Sequence, residues 1–252
     1  MVNFDAAIKR PFQDFKKVAV GATISIFTVI LLVMVITVSV VGSLFSMPNW
    51  NPILFIFIFV AVLFITMAIS FFITGYGYEC AKTAMNKQSE LPEWKDWGKL
   101  WMKGFYGFIL MLVYSIPFFF FSAIIGILIS VLASSSIITK TILLLILILT
   151  VLLIFSYITP MALMFFIDKW NIENAFRIKE IFRKAFTRKY LAAWSIVFTY
   201  SLSISVIFNY LLKITQEMLI ITLILYLIYI FLNIAVIITS MTVYGEVYSE
   251  IK

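Results

Sequence analysis

Histidine is absent from this 252-residue chain, and cysteine occurs once, at Cys80. Without histidine the sequence lacks the commonest metal ligand and the side chain that ordinarily titrates near neutrality. One cysteine allows no intramolecular disulfide and no thiolate metal set; Cys80 reads as a small packing residue. Charge is scarce as well: 12% of residues are charged and 63% hydrophobic, against roughly 25% and 45–50% in soluble domains. There is no phosphate-binding glycine loop, no zinc spacing and no serine–lysine pair at a shared depth. No acid or base falls at the centre of an apolar run, and proton-coupled carriers and intramembrane enzymes usually rely on such groups. The expectation is a non-enzymatic protein with no cofactor and no bound metal.

What is present is apolar sequence in long continuous runs, with a mean hydropathy of +1.10. In lipid every backbone polar group has to be satisfied internally, and continuous rather than alternating runs select helices over a barrel. The fold class is therefore all-α integral membrane. Six spans are read at about 18–44, 53–78, 106–132, 141–167, 190–212 and 218–243, within a single polytopic membrane domain. The run after residue 18 exceeds the roughly 7–15 residues of a signal-peptide core, so no cleaved leader is expected. A short uncharged turn is read at 45–52, a short serine-rich turn at 133–140, kinks at Pro117 and Pro160, and a short charged tail at 244–252.

Polar sequence concentrates between the hairpins. Ser89 to Phe105 reads as an amphipathic helix in which Trp94, Trp97, Trp101 and Phe105 share one face, with Lys95, Lys99 and Lys103 among the others. Phe4, Ala7, Ile8, Phe12 and Phe15 form a similar face beside Lys16 and Lys17, with a kink or break at Pro11. Asp168 to Lys189 carries Phe176, Phe182 and Phe186, with pairs Glu173–Arg177 and Glu180–Lys184 in the favourable spacing. Indole rings and lysine stems suit the headgroup layer. Phe12, Phe15, Lys17, Trp94, Trp97, Trp101, Lys103, Phe182, Phe186 and Arg188 are thus the candidate lipid-interface residues. All lysines and arginines but Lys140 and Lys213 lie on one side of this topology. The positive-inside rule then puts both termini in the cytoplasm of a multi-pass cell-membrane protein.

The pattern repeats. Phe15-Lys-Lys17, Trp101-Met-Lys103 and Phe186-Thr-Arg188 end the three polar segments. Ile73-Thr-Gly-Tyr76, Ile158-Thr-Pro-Met161 and Ile238-Thr-Ser-Met241 end the even spans, each set close to one third of the chain apart. Three pseudo-repeats of interfacial helix plus hairpin follow, at about 1–85, 86–168 and 169–252, around an axis along the membrane normal.

Two intramembrane features have two readings each. Ser201, Ser205 and Asn209 share one face of the fifth span, as do Asn233 and Ser240 on the sixth; they line a polar path or hydrogen-bond between helices. Gly75 and Gly77 form a flexible mouth or permit close packing. Gly-Tyr-Gly at the end of a full-length span, with no pore helix behind it, is not a potassium filter.

Gly75-Tyr76 closing the second span, Leu91-Pro92-Glu93-Trp94 with Trp97, and Ala175-Phe176-Arg177 carry a family resemblance. Through them the chain resembles a six-span prokaryotic, largely archaeal membrane family, domain-of-unknown-function family 4013. The resemblance implies a topology and no activity. The net charge of +7 beside apolar spans points to anionic lipid, not nucleic acid, as partner. A homo-oligomer and a cytoplasmic protein partner remain open. The leading expectation is a lipid-binding or membrane-organising protein at the cytoplasmic face. The alternative is a channel or facilitative transporter for a small solute along the pseudo-threefold axis.

Overall fold

The computed structural model describes residues 4–44, 52–132 and 136–252. The turn expected at 45–52 lies outside them except for Pro52, as do the first three residues of the turn expected at 133–140. The described residues form eight α-helices. These are α1 (Phe4–Gln13), α2 (Phe15–Leu44), α3 (Pro52–Met85), α4 (Trp97–Leu132), α5 (Ile137–Lys169), α6 (Ile178–Ala185), α7 (Arg188–Ile214) and α8 (Leu219–Ile251). A 3-10 turn, Ile172–Phe176, stands between α5 and α6. Helices α2, α3, α4, α5, α7 and α8 are each long and apolar enough to cross a membrane, as their uninterrupted hydropathy requires. The chain is a multi-span membrane protein.

Several boundaries differ from the sequence reading. Ser89 to Phe105 is not one amphipathic helix. Residues 89–96 are non-helical, and α4 then runs unbroken from Trp97 to Leu132, so Trp97, Trp101 and Phe105 belong to the span itself. Pro92 lies inside the non-helical stretch, and Asp96 takes a left-handed φ of 54°. The Asp96 carbonyl receives the N–H groups of Lys99 and Leu100, and this starts α4 one turn after Trp94. The 168–189 segment is likewise broken into the end of α5, the 3-10 turn and the short α6. Trp170, at φ 52°, ends α5, and the Asn171 side chain accepts from Glu173 N–H to start the turn. Arg177 accordingly pairs with Glu180 at 3.8 Å rather than with Glu173. The expected tail at 244–252 is helical to Ile251, and α3 continues to Met85. Helix α5 runs through Pro160, and α1 runs through Pro11 and stops at Asp14, whose carboxylate accepts from Lys17 N–H to restart the chain as α2.

Helix α3 is central at the polar end, packing most extensively on α4 and α8 and also touching α2 and α5. Hydrophobic burial does not separate helix–helix from helix–lipid contact in a bilayer, so close approach at small residues has to supply the packing. Gly75 and Gly104 do this at the α3–α4 crossing: a Cβ on Gly75 would overlap the Leu100 carbonyl, and one on Gly104 the Phe71 carbonyl. A Cβ on Gly245 would press on the Ala81 backbone, which sets the α3–α8 approach. These contacts favour the packing reading of Gly75.

The buried side chains gather in two clusters toward this end. One holds Tyr78, Leu110, Met161, Phe166, Ile181, Tyr190 and Val247; the other holds Val18, Tyr76, Cys80, Leu91 and Ile238. Cys80 is a free, fully buried packing residue. Farther along, α4, α5, α7 and α8 expose Phe119, Phe120, Leu152, Val206 and Leu223, a surface suited to acyl chains.

Overpacking a tight crossing costs about 1–3 kcal/mol. Gly104→Ala is expected to lower the thermal midpoint in detergent. Gly98→Ala, with nothing within 4 Å of its Cβ position, is expected to leave it unchanged. Equal midpoints for the two variants would contradict the crossing described.

Candidate functional site at the polar end

Helix α1 buries Ala7, Arg10 and Pro11 and turns Ile8 and Phe12 outward. Arg10 is 4% exposed. A buried guanidinium is tolerable only when its N–H groups are answered. Its Nε donates to the Ser89 carbonyl at 3.1 Å. Nη1 donates to the Cys80 carbonyl at 3.1 Å and to Thr242 Oγ1 at 2.9 Å. Nη2 reaches Thr83 Oγ1 at 2.7 Å and the carbonyls of Gln88 at 3.1 Å and Glu90 at 2.7 Å. One side chain therefore fastens α1 to the end of α3, the 86–90 turn and α8. Burial lowers the Arg10 pKa from its ordinary value, opposed by Cys80, Glu246 and Tyr76. The negative end of the α3 dipole also favours a cation here. A cleft of about 340 Å³ borders it, walled by Gln13, Lys87, Glu246 and Glu250 among others.

The 91–95 stretch is seated beside this knot. The Trp94 ring stacks flat on Tyr76 with centroids 3.9 Å apart, and its Nε1 donates to the Lys17 carbonyl at 2.8 Å. Tyr76 Oη donates to the Pro92 carbonyl at 3.1 Å. Lys17 Nζ pairs with Glu93 at 2.9 Å and Asp14 at 3.2 Å and donates to the Leu91 carbonyl at 2.8 Å. Trp101 Nε1 donates to the Ala68 carbonyl at 2.9 Å. Lys103 pairs with Glu79, its ammonium 3.8 Å above the Trp170 ring. Trp94, Trp101, Lys17 and Lys103 thus all have partners within the protein. Phe12, Phe15, Trp97, Phe182 and Phe186 are exposed, Phe15 by 63% and Phe186 by 70%. Arg188 is exposed at the start of α7.

The intramembrane polar residues answer mainly to their own helices. Asn209 Nδ2 donates to the Ser205 carbonyl and Asn233 Nδ2 to the Tyr229 carbonyl, both at 2.8 Å. Asn209 is exposed, while Ser201, Ser205 and Asn233 are half-buried. Among the described residues no group of three or more metal-ligating side chains comes together.

A family model described as a protein of unknown function (DUF4013) matches residues 53–213. The chain belongs to this family. In this DUF4013 protein the matched stretch runs from the start of α3 almost to the end of α7. It contains Gly75 at the α3–α4 crossing, the Leu91–Trp94 seat and Ala175, whose carbonyl receives Tyr114 Oη. Arg10 and Thr242 lie outside it, so the knot joins the matched DUF4013 region to both flanking segments. No curated protein and no solved structure matches the chain.

Arg10 was not singled out by the sequence. The usable signal is its place three residues after Ala7 and directly before Pro11, on the face of α1 opposite the aromatic residues. Each buried acceptor left without its donor costs about 1–3 kcal/mol. Arg10→Met is expected to speed trypsin cleavage after Lys87 and Lys95 in the detergent-solubilised protein. A cleavage rate equal to that of the wild type would contradict the role given to Arg10.

Proposed function

We propose that this protein binds anionic membrane lipid and organises the bilayer, itself or a partner at the cytoplasmic face, without catalysis. The observation that carries this reading is the set of exposed aromatics at the polar end: Phe12, Phe15, Trp97, Phe182 and Phe186. Exposed Lys16, Lys95, Lys99, Arg183 and Arg188 are interleaved with them in sequence. Tryptophan prefers the headgroup layer, phenylalanine on an amphipathic segment enters the headgroup–acyl boundary, and each basic residue near an anionic surface contributes about 1 kcal/mol. The excess of lysine and arginine at this end supports an orientation with both termini in the cytoplasm of a cell-membrane protein.

The three helix–hairpin units belong to the same proposal. Three aromatic contacts support them, each from an odd span to a neighbouring even one. Trp101 of α4 donates to α3 at Ala68, and Trp194 of α7 donates to α5 at Ser156 at 3.0 Å. Phe15 of α2 stacks on Phe231 of α8 at 4.6 Å. Transport along an axis between the even helices has less support. Tyr78, Met161, Phe165, Tyr244 and Val247 form one packed cluster at the polar end, and the Asn209 amide is bound to its own helix.

Trp94 and Trp101 hold the fold, so the test uses the exposed rings. Combined Trp97→Ala, Phe182→Ala and Phe186→Ala substitutions are expected to reduce the anionic lipid retained in native mass spectrometry, with the thermal midpoint preserved. Retention equal to that of the wild type would refute the lipid-interface role.

A further inference from the structure

The pocket of about 180 Å³ where the end of α5, the 3-10 turn, α6 and the end of α8 meet is distinct from the Arg10 knot. It is walled by Phe165, Asp168, Lys169, Asn174, Arg177, Glu180, Lys184, Tyr248 and Lys252. Four of these side chains are basic and two acidic, and the acids are already answered. Asp168 holds Lys252 at 2.6 Å and Lys82 at 3.9 Å, and Glu180 holds Arg177 at 3.8 Å.

Lys169, which is exposed, and Lys184 are left over, and Lys184 is the one drawn into the protein. It is half-buried, and among the described residues no carboxylate pairs with its ammonium. The ammonium lies 4.8 Å from the Tyr248 ring centre and 5.0 Å from that of Phe165. Those ring faces stabilise the cation without neutralising it. Burial lowers its pKa, and the charges of Lys252 and Arg183 act in the same direction against the pull of Glu180 and Asp168. Asn174 provides a second, independent sign. It is 8% exposed, and its side chain makes no hydrogen bond to another described residue. A largely buried asparagine whose amide still reaches the solvent and a partly desolvated ammonium stand in one wall without a protein acceptor, an arrangement that an anion completes.

We propose that this pocket binds a phosphate-bearing anion through Lys184 and Asn174, with Lys169, Arg177 and Lys252 supplying the surrounding positive field. At about 180 Å³ the space holds several waters. That suits a phosphate group and excludes a whole lipid, leaving acyl chains to the bilayer. The phosphate is a phospholipid headgroup or free phosphate. In its lipid form the proposal rests on the reading that this end works at a lipid surface.

The test is calorimetric titration of the full chain, in detergent and stripped of lipid, with inorganic phosphate and with dihexanoyl phosphatidic acid. The wild type is expected to bind at one saturable site. Lys184→Gln should weaken binding about tenfold, as the loss of a charge-assisted hydrogen bond implies, and Lys184→Arg should restore it. Response to phosphatidic acid alone identifies a headgroup site, and response to both probes a phosphate site. No saturable binding of either probe, or equal affinity in Lys184→Gln, would overturn the proposal. The Trp97, Phe182 and Phe186 alanine variant should keep the site, so loss in Lys184→Gln alone sustains the pocket even where the aromatic collar fails its own test.

Discussion

Arg10 is buried where a charged side chain must be answered donor by donor, and that requirement organises the polar end of the molecule. Its acceptors come from three places distant in sequence: α3, the turn that follows it and α8. No neutral side chain offers five donors in a fixed fork, and lysine offers only a point charge. The Trp94 seat on Tyr76 and the Lys17 pairs extend the same junction to the start of α2. The carbonyls of Gln88, Ser89 and Glu90 just beyond α3, the Cys80 carbonyl within it and the Thr242 hydroxyl of α8 thereby become the means of joining the first and last helices.

The rest of the bundle follows a different rule. Inside a bilayer apolar contact is available everywhere, so it selects no particular neighbour. Selection passes to places where backbones can touch, at Gly75, Gly104 and Gly245. Beyond those crossings the helices expose leucine, isoleucine and phenylalanine to their surroundings. The polar end is assembled by directional bonds and the apolar halves are left for lipid. Among the described residues charge, fixed aromatic rings and clefts coexist at the assembled end, and the proposed interfacial function is assigned there for that reason.

The six spans were legible because hydropathy alone sets them, and nothing in the fold competes with a continuous apolar run. The tryptophan segment misled for a physical reason. Steps of three and four from Trp94 to Phe105 fit a helix, but Pro92 and the left-handed Asp96 break the chain before Trp97. Trp94 is then a ring seated on Tyr76. Trp101 and Lys103 looked interfacial by type, yet contacts with Ala68, Glu79 and Trp170 occupy them. Such partners are set by tertiary approach and leave no trace in local periodicity. Arg10 escaped notice because it was one base among four near the first span. The free ammonium of Lys184 was equally hidden, since Glu180 stands at the favourable helical spacing and pairs with Arg177 instead.

The most direct test of the account is hydrogen–deuterium exchange of the full chain in nanodiscs, followed at the turn after α3. There the N–H groups of Asn86, Lys87 and Gln88 donate to the carbonyls of Lys82, Ala84 and Thr83, and Arg10 holds the carbonyls of Gln88, Ser89 and Glu90. Amides 86–88 are predicted to exchange as slowly as the buried end of α3, and far faster once Arg10 is replaced by methionine. Fast exchange of these amides in the wild-type protein would contradict a polar end built around Arg10.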